Sequence, residues 1–390
     1  PIAIRKRQCF EDQIEQQVGW THQFPVQPLA DRDGSSRPVV QFDPQNIAAF
    51  PQTRYYGSKR KLLPWIYDCI GDLNFETALD VFGGTASVSL LIKAMGKRVT
   101  YHDGFKFNED VGRTILANEI ALGRTEVADF IASVSPQRAV ISDLFPGVYY
   151  TKQENAWLDG FAIRLSESKL PRKAKSLLRY LVYQACLKKR PFNLFHRANL
   201  HLRTNSGVER TFGNYATWQR SFAHHMFQAY DELIFDRCCD ADSVVLPSGN
   251  AASLEPGYDL VYLDPPYLSL ERRYNRDDYW RRYHFLEGFA RYRGWRSRVD
   301  QASDIKLLRQ PTWMKEWSDE SRYTSLLFAL VEHHRRSIVV LSYVDRAYPD
   351  ADEIRTFFAK TFRSIEVHAR KHSHALRATP RRELLFIGRP

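Results

Sequence analysis

The sequence lacks any apolar run near the ~18–20 residues that a membrane-crossing helix requires. Cysteine is scarce: Cys9, Cys69, Cys186, Cys238 and Cys239 are the only five in 390 residues, and none forms a C-x-x-C pair. An odd, scattered set excludes a disulfide scaffold and fits a reducing compartment. Cys238–Cys239 beside Asp236 is a weak metal signal, because adjacent cysteines rarely have ligand spacing. Arg5, Lys6 and Arg7 precede no apolar stretch, so no signal peptide is visible and a cytoplasmic location is expected. Neither G-x-G-x-x-G nor G-x-x-x-x-G-K-[ST] occurs, which leaves dinucleotide and nucleoside triphosphate binding poorly supported. There is no internal repeat and no low-complexity tract.

What is present is a chain with 44% hydrophobic and 13% aromatic residues, well able to build a core. The formal net charge is +11 and is unevenly spread. Residues 160–230 hold 13 Lys/Arg against 2 Asp/Glu, so this stretch carries the whole surplus and the remainder sums to zero. A neutral protein with a basic insert points to a polyanionic partner, although a basic stretch is also compatible with a plain solvated face.

Residues 1–50 are polar and weakly periodic, and read as an arm or loose extension. From Ala78 the pattern alternates. Thr77–Phe82 reads as a short buried strand, Arg98–Tyr101, Asp259–Leu263 and Ser337–Val344 as further strands, and Thr85–Met95 and Glu109–Leu122 as helices. Ser364–His368 and Glu383–Ile387 read as a closing pair of strands. Strands alternating with helices predict an α/β fold with a mostly parallel sheet covered on both faces and an antiparallel edge at the end. Between these strands, Gln153–Ser166, Lys173–Lys188 and Trp218–Phe235 read as helices around a basic loop, Lys188–Gly213. The expected organisation is an extension (1–50), a catalytic domain (51–144 and 238–390), and a mainly helical inserted domain (145–237).

Three local motifs carry chemistry. Asp264-Pro265-Pro266-Tyr267 directly follows a strand, where open α/β sheets bind ligands. The prolines stiffen the turn and leave free carbonyls. Asp264 and the Pro265 carbonyl can each accept one hydrogen of an exocyclic amine while Tyr267 stacks on its ring. Drawing both hydrogens toward acceptors localises the nitrogen lone pair and makes the amine a nucleophile. The second motif, Asp80-Val81-Phe82-Gly83-Gly84-Thr85-Ala86, is a strand-to-helix turn whose glycines admit close approach of a ligand. Asp103 closes the next strand and is placed either to accept both hydroxyls of a ribose or to cap a helix. The third is Arg54-Tyr55-Tyr56-Gly57-Ser58-Lys59, in which Lys59 can meet a carboxylate and Tyr55 can cover an adenine or a sulfonium.

Together these motifs resemble the Dam-like, alpha-class DNA adenine-N6 methyltransferases of restriction-modification systems, over about Pro51 to Arg389. The order matches: glycine-lysine motif, F-x-G turn, inserted recognition domain, then DPPY. The segment Gln184-Ala185-Cys186-Leu187-Lys188-Lys189-Arg190-Pro191-Phe192-Asn193-Leu194-Phe195-His196-Arg197 looks like the recognition side of such enzymes, and Tyr283-His284-Phe285-Leu286-Glu287-Gly288 looks familial. Ala86 departs from the pattern, since the family often has glycine there.

The resemblance implies a Rossmann-like methyltransferase sheet and S-adenosylmethionine as cofactor. The cofactor would meet Tyr55, Tyr56, Gly57, Lys59, Asp80, Phe82, Gly84, Asp103 and Asp264. Its adenine would meet Asn250 or Asp143, with Asn250 favoured because Val244–Leu246 resembles the strand that should precede it. Asp264, Pro265, Pro266 and Tyr267 would form the catalytic motif. Lys188, Lys189, Arg190, Asn193, His196, Arg197, Arg203, Thr204 and Asn205 would contact double-stranded DNA, with the target base flipped out. The absence of a Pro-Cys dipeptide argues against cytosine-C5 chemistry, which needs a cysteine nucleophile. Cytosine-N4 transfer, an RNA substrate, and an inactive DNA-binding regulator remain alternatives, and a separate restriction endonuclease is an open partner.

Overall fold

The computed structural model describes residues 42–191, 194–205, 207, 215–234, 241–269, 278–372 and 381–390. Seven strands form one sheet: β1 (Thr77–Asp80), β2 (Arg98–Tyr101), β3 (Ser243–Val245), β4 (Leu260–Leu263), β6 (Ile338–Val344), β8 (Ser364–His372) and β9 (Arg381–Arg389). Two short strands, β5 (Leu268–Ser269) and β7 (Ala347–Tyr348), pair separately and antiparallel. The sheet order is β3-β2-β1-β4-β6-β9-β8. The first five are parallel, and β9 joins β6 and β8 antiparallel, giving the expected edge.

The central strands β1, β4 and β6 are buried on both faces, and this explains their nearly continuous apolar runs. All four residues of β4 are buried: Leu260 and Tyr262 enter one core, Val261 and Leu263 the other. The second core is closed by helices Glu320–His333 and Ala351–Thr361 through Leu327, Val331, Ile354 and Phe358. The first core is much larger, because the helices of the inserted segment join it.

Residues 145–237 fall between β2 and β3, and their described residues share the first core. Helix Arg172–Lys188 lies on helix Lys106–Ile115: Tyr183 meets Phe107 edge-on at 5.9 Å, and Ser176 and Tyr183 donate hydrogen bonds to Asp110 at 2.7 and 3.1 Å. Gln41–Pro390 is a single compact unit. Phe42, Ile47 and Phe50 are buried in that unit's core. Helix Glu109–Leu122 is observed as Lys106–Ile115, and Trp218–Phe235 as Tyr215–Gln219 and Phe222–Asp231. Cys238, Cys239 and Asn193 lie outside the described residues. Among the described residues, no helix is long and apolar enough to cross a membrane.

Candidate active site

The chain leaves β1 toward β2 on one side and meets β4 on the other, so the strand order reverses between them and a crevice opens at their carboxyl ends. β1 delivers Asp80 there, and the following turn enters helix Ser87–Ala94. The turn is tight for two reasons. A Cβ on Gly83 would stand 2.1 Å from the Tyr101 ring, and Gly84 has φ +49°. Ala86 has φ +58°, a left-handed conformation that a side chain disfavours. Ala86→Gly is therefore expected to stabilise the protein by about 1 kcal/mol, read as a raised thermal midpoint.

Two buried carboxyls, Asp80 and Asp103, and the largely buried Asp264 line the crevice. Asp103 follows β2 and ties the turn together, accepting the Gly84 N–H at 2.9 Å and the Phe105 N–H at 2.8 Å. Burial pushes its pKa up, while the backbone donors of Phe105 and Gly84 pull it back. Asp80 accepts the Ser89 hydroxyl at 2.6 Å on one oxygen, while its Oδ1 is buried with no hydrogen-bond donor among the described residues. Burial raises Asp80 to about 7 and Asp264 to about 6.

These two carboxyls hold protons more tightly folded than unfolded. Their contribution to stability is therefore present below about pH 4 and lost as pH rises through 6 to 7. Histidines oppose this: buried His225 and His334 and half-buried His196 fall to about 4, and they destabilise the fold as pH drops below the ordinary histidine range. A comparison with Asp80→Asn isolates the carboxyl. The variant's thermal midpoint relative to the wild type is expected to rise from pH 5 to about pH 7 and to level off above it.

The Asp264–Tyr267 loop is held at both ends, by β4 in the main sheet and by β5, which pairs with β7 (Leu268↔Tyr348). Asp264 and Pro266 line the crevice, and Pro265 is buried behind them. Tyr267 packs edge-on against Tyr343 at 5.8 Å. Lys59 Nζ stands 3.1 Å from Asp264 Oδ1 and 3.4 Å from Glu383 Oε2, with all three groups largely buried. Burial alone would favour neutral Lys59, but Asp264 and then Glu383 outweigh it and hold its pKa well above the ordinary lysine range. Lys59 does meet a carboxylate, then, and the ones it meets belong to the protein. Glu383 was not a sequence candidate, because its partner lies 324 residues away.

Tyr55 stacks on Tyr283 with centroids 4.4 Å apart and planes at 2°. Nine of the ten sequence candidates for cofactor contact line the crevice: Tyr55, Tyr56, Gly57, Lys59, Asp80, Phe82, Gly84, Asp103 and Asp264. Asn250 does not line it, although its neighbours Gly249 and Ala251 do; its side chain caps a short helical turn by accepting the Ala252 N–H at 3.2 Å. Asp143 is remote from the crevice, paired with Arg138 and Arg296 at 2.8 and 2.5 Å. One wall escaped the sequence reading. Trp313, Met314 and Trp317 cover the crevice, and Trp317 meets Phe82 edge-on at 5.3 Å. Two tryptophans four residues apart in an otherwise polar stretch were the available signal.

The sequence profile of the D12 class N6 adenine-specific DNA methyltransferases matches residues 55–291, from Tyr55 on the crevice wall through the Asp264 loop. The chain belongs to this family. It is also similar to the type II methyltransferase M2.HphI of Haemophilus parahaemolyticus, with 24% identity over 360 residues that cover 88% of this chain and 98% of that one. The reaction of a D12 methyltransferase is transfer of a methyl group from S-adenosylmethionine to N6 of adenine in DNA.

The crevice fits that cofactor on its own chemistry. It offers aromatic walls for a purine, acceptors on Asp80 and Asp103 for hydroxyls or an ammonium, and excess negative charge for a sulfonium. The unpartnered Oδ1 of Asp80 is a buried acceptor left for a ligand to satisfy.

The DNA-reading candidates divide sharply. Lys188, Lys189, Arg190 and Arg203 are buried, which removes them from the surface where sequence charge had put them. Glu154 neutralises Lys189 at 2.9 Å and Arg203 at 2.7 Å, and Glu232 neutralises Lys188 at 3.3 Å. Burial works against the ionised form of Glu154, but Arg203 and Lys189 outweigh it and hold the pKa at about 2. Arg190 donates to the carbonyls of Leu194, Tyr149 and Arg197 and lies 4.5 Å over the Tyr149 ring. Arg197, Thr204 and Asn205 are exposed, and Asn205 accepts the Gly207 N–H at 2.9 Å. His196 is half-buried and held at about 4 by burial and by Arg197 and Arg282, so it is neutral at pH 7.

Proposed function

We propose that this D12 methyltransferase modifies adenine at a defined sequence in double-stranded DNA, as the cytoplasmic modification partner of a restriction endonuclease. The observation that carries the chemistry is the position of Asp264. It lies, largely buried, at the strand-order switch, beside Lys59, on a loop pinned by two sheets. When bound, S-adenosylmethionine supplies a methyl group activated on a cationic sulfur. Tyr55, Tyr56, Gly57, Lys59, Asp80, Phe82, Gly84 and Asp103 line the crevice and would hold it.

Adenine N6 is engaged in a base pair, so the base must leave the stack to reach the loop. The Asp264 carboxylate and the Pro265 carbonyl then accept the two amine hydrogens while Tyr267 packs on the ring. The lone pair is freed from conjugation, and the proton leaves only as the nitrogen becomes cationic. Asp264 therefore acts by orienting and by charge, with no need to be a strong base. Arg197 and Arg281 are exposed beside His196, near the first turn of helix Tyr279–Ala290, whose Tyr279 and Trp280 line the crevice. This rim suits phosphates on either side of a flipped base.

The relative's name supports the restriction-modification setting. The test is to express the chain in a host without adenine methylation and map N6-methyladenine across the genome. Methylation confined to one sequence motif is the expected result; scattered or absent methylation overturns the proposal.

A further inference from the structure

We propose that a cleft beside the loop Arg291–Arg298 binds the DNA phosphodiester backbone about five base pairs from the adenine being methylated. The proposal rests on the reading of the protein as a duplex-DNA methyltransferase.

The loop reads Arg291-Tyr292-Arg293-Gly294-Trp295-Arg296-Ser297-Arg298, with four arginines in eight residues. It is fixed from beneath. Trp295 is fully buried, packs on Phe145 and Phe285 at 5.2 Å, and sits so close to Gly288 that a Cβ there would lie 2.0 Å from its ring. Tyr292 donates its hydroxyl to Asp159 at 2.6 Å, and Arg291 pairs with Glu287 at 2.7 Å. With the backbone anchored, binding an anion there orders side chains only and not the loop itself.

Facing this loop, helix Arg172–Lys188 contributes Lys175 and Arg179 to a cleft of about 450 Å³. Five cations line it, Lys175, Arg179, Arg291, Arg293 and Arg298, with no carboxylate in the lining. Arg179 and Arg291 have acidic partners behind them; among the described residues Lys175, Arg293 and Arg298 pair with none. Cations gathered without counter-charge repel one another, so the arrangement gains most from an external polyanion.

Helix Tyr279–Ala290 links the cleft to the crevice: Tyr279 and Trp280 line the crevice, and Ala290 lines the cleft. Eleven helical steps span roughly 17 Å, or about five steps of duplex along one strand. The helix itself is buried from Arg282 to Phe289, so it sets the separation of the two sites, and a duplex crossing the surface parallel to it would reach the cleft.

The experiment measures duplex affinity against salt for the wild type, for Arg293→Ala/Arg298→Ala, and for Arg296→Ala, whose arginine is paired with Asp143 outside the cleft. The double variant is expected to keep its thermal midpoint and lower the slope of log K against log[salt] by about two. Arg296→Ala is expected to keep the wild-type slope. A duplex trimmed to within about four base pairs of the target on both sides is expected to erase the difference between wild type and double variant. An unchanged slope in the double variant overturns the proposal while wild-type methylation stands. Tripolyphosphate binding at the cleft without any effect on duplex affinity also overturns it. A wild type that neither binds nor methylates duplex DNA removes the underlying reading instead.

Discussion

Replacing Asp264 with alanine is expected to cut methyl transfer to adenine by about 10³-fold or more, because it removes a positioned acceptor on which the amine's reactivity depends. The variant should fold. Lys59 loses one carboxylate but keeps Glu383 at 3.4 Å, so its buried ammonium is not orphaned. Single-turnover transfer of labelled methyl to a duplex measures the loss, and a binding titration with the same duplex shows affinity retained. Asp264→Asn separates acceptor from charge: it keeps one oxygen and loses the anion, and its rate should fall between the two. In the wild type, kcat/KM should decline as pH drops through about 6, where the carboxyl takes up a proton and can no longer accept from both sides. Near-normal transfer by Asp264→Ala would refute the mechanism.

Arg190→Ala carries the largest expected effect on stability, a loss of about 3–5 kcal/mol. The guanidinium is 1% exposed and serves three carbonyls that no neighbouring side chain would satisfy in its absence. It remains charged at neutral pH, since burial lowers it only to about 10. Lysine should not rescue it, because one ammonium cannot reproduce the planar fork that spans Leu194 and Arg197. The measurement is a thermal midpoint lowered by several degrees. The salt dependence of DNA binding by the folded fraction should match the wild type, which is the opposite of what a phosphate-contacting arginine would give.

This contrast shows where the sequence was legible. Arg98–Tyr101 matched its strand residue for residue, and Asp80, Asp103 and Asp264 arrived at one crevice because strand ends are local features with local signals. The basic run at 188–203 misled because charge in a sequence does not reveal its counter-charge. Glu154 lies 35 positions before Lys189, and only the fold brings them within 2.9 Å. Glu383 was invisible for the same reason. Its strand was anticipated, but the register that faces it toward Lys59 depends on β9 pairing antiparallel with β6 (Val344↔Glu383). The insert looked autonomous because helices announce themselves individually, whereas the sharing of a core by Tyr183 and Phe107 is decided by packing.

The sharing of Lys59 between Asp264 and Glu383 bears on turnover as well as on chemistry. Two carboxylates around one ammonium leave a unit of negative charge in a largely buried space, and a cation of suitable shape is preferred there over its neutral counterpart. Methyl transfer turns a cationic sulfonium into an uncharged thioether. The pocket's electrostatic preference is thus withdrawn from its occupant by the reaction itself, which favours departure of the spent cofactor and entry of a fresh one.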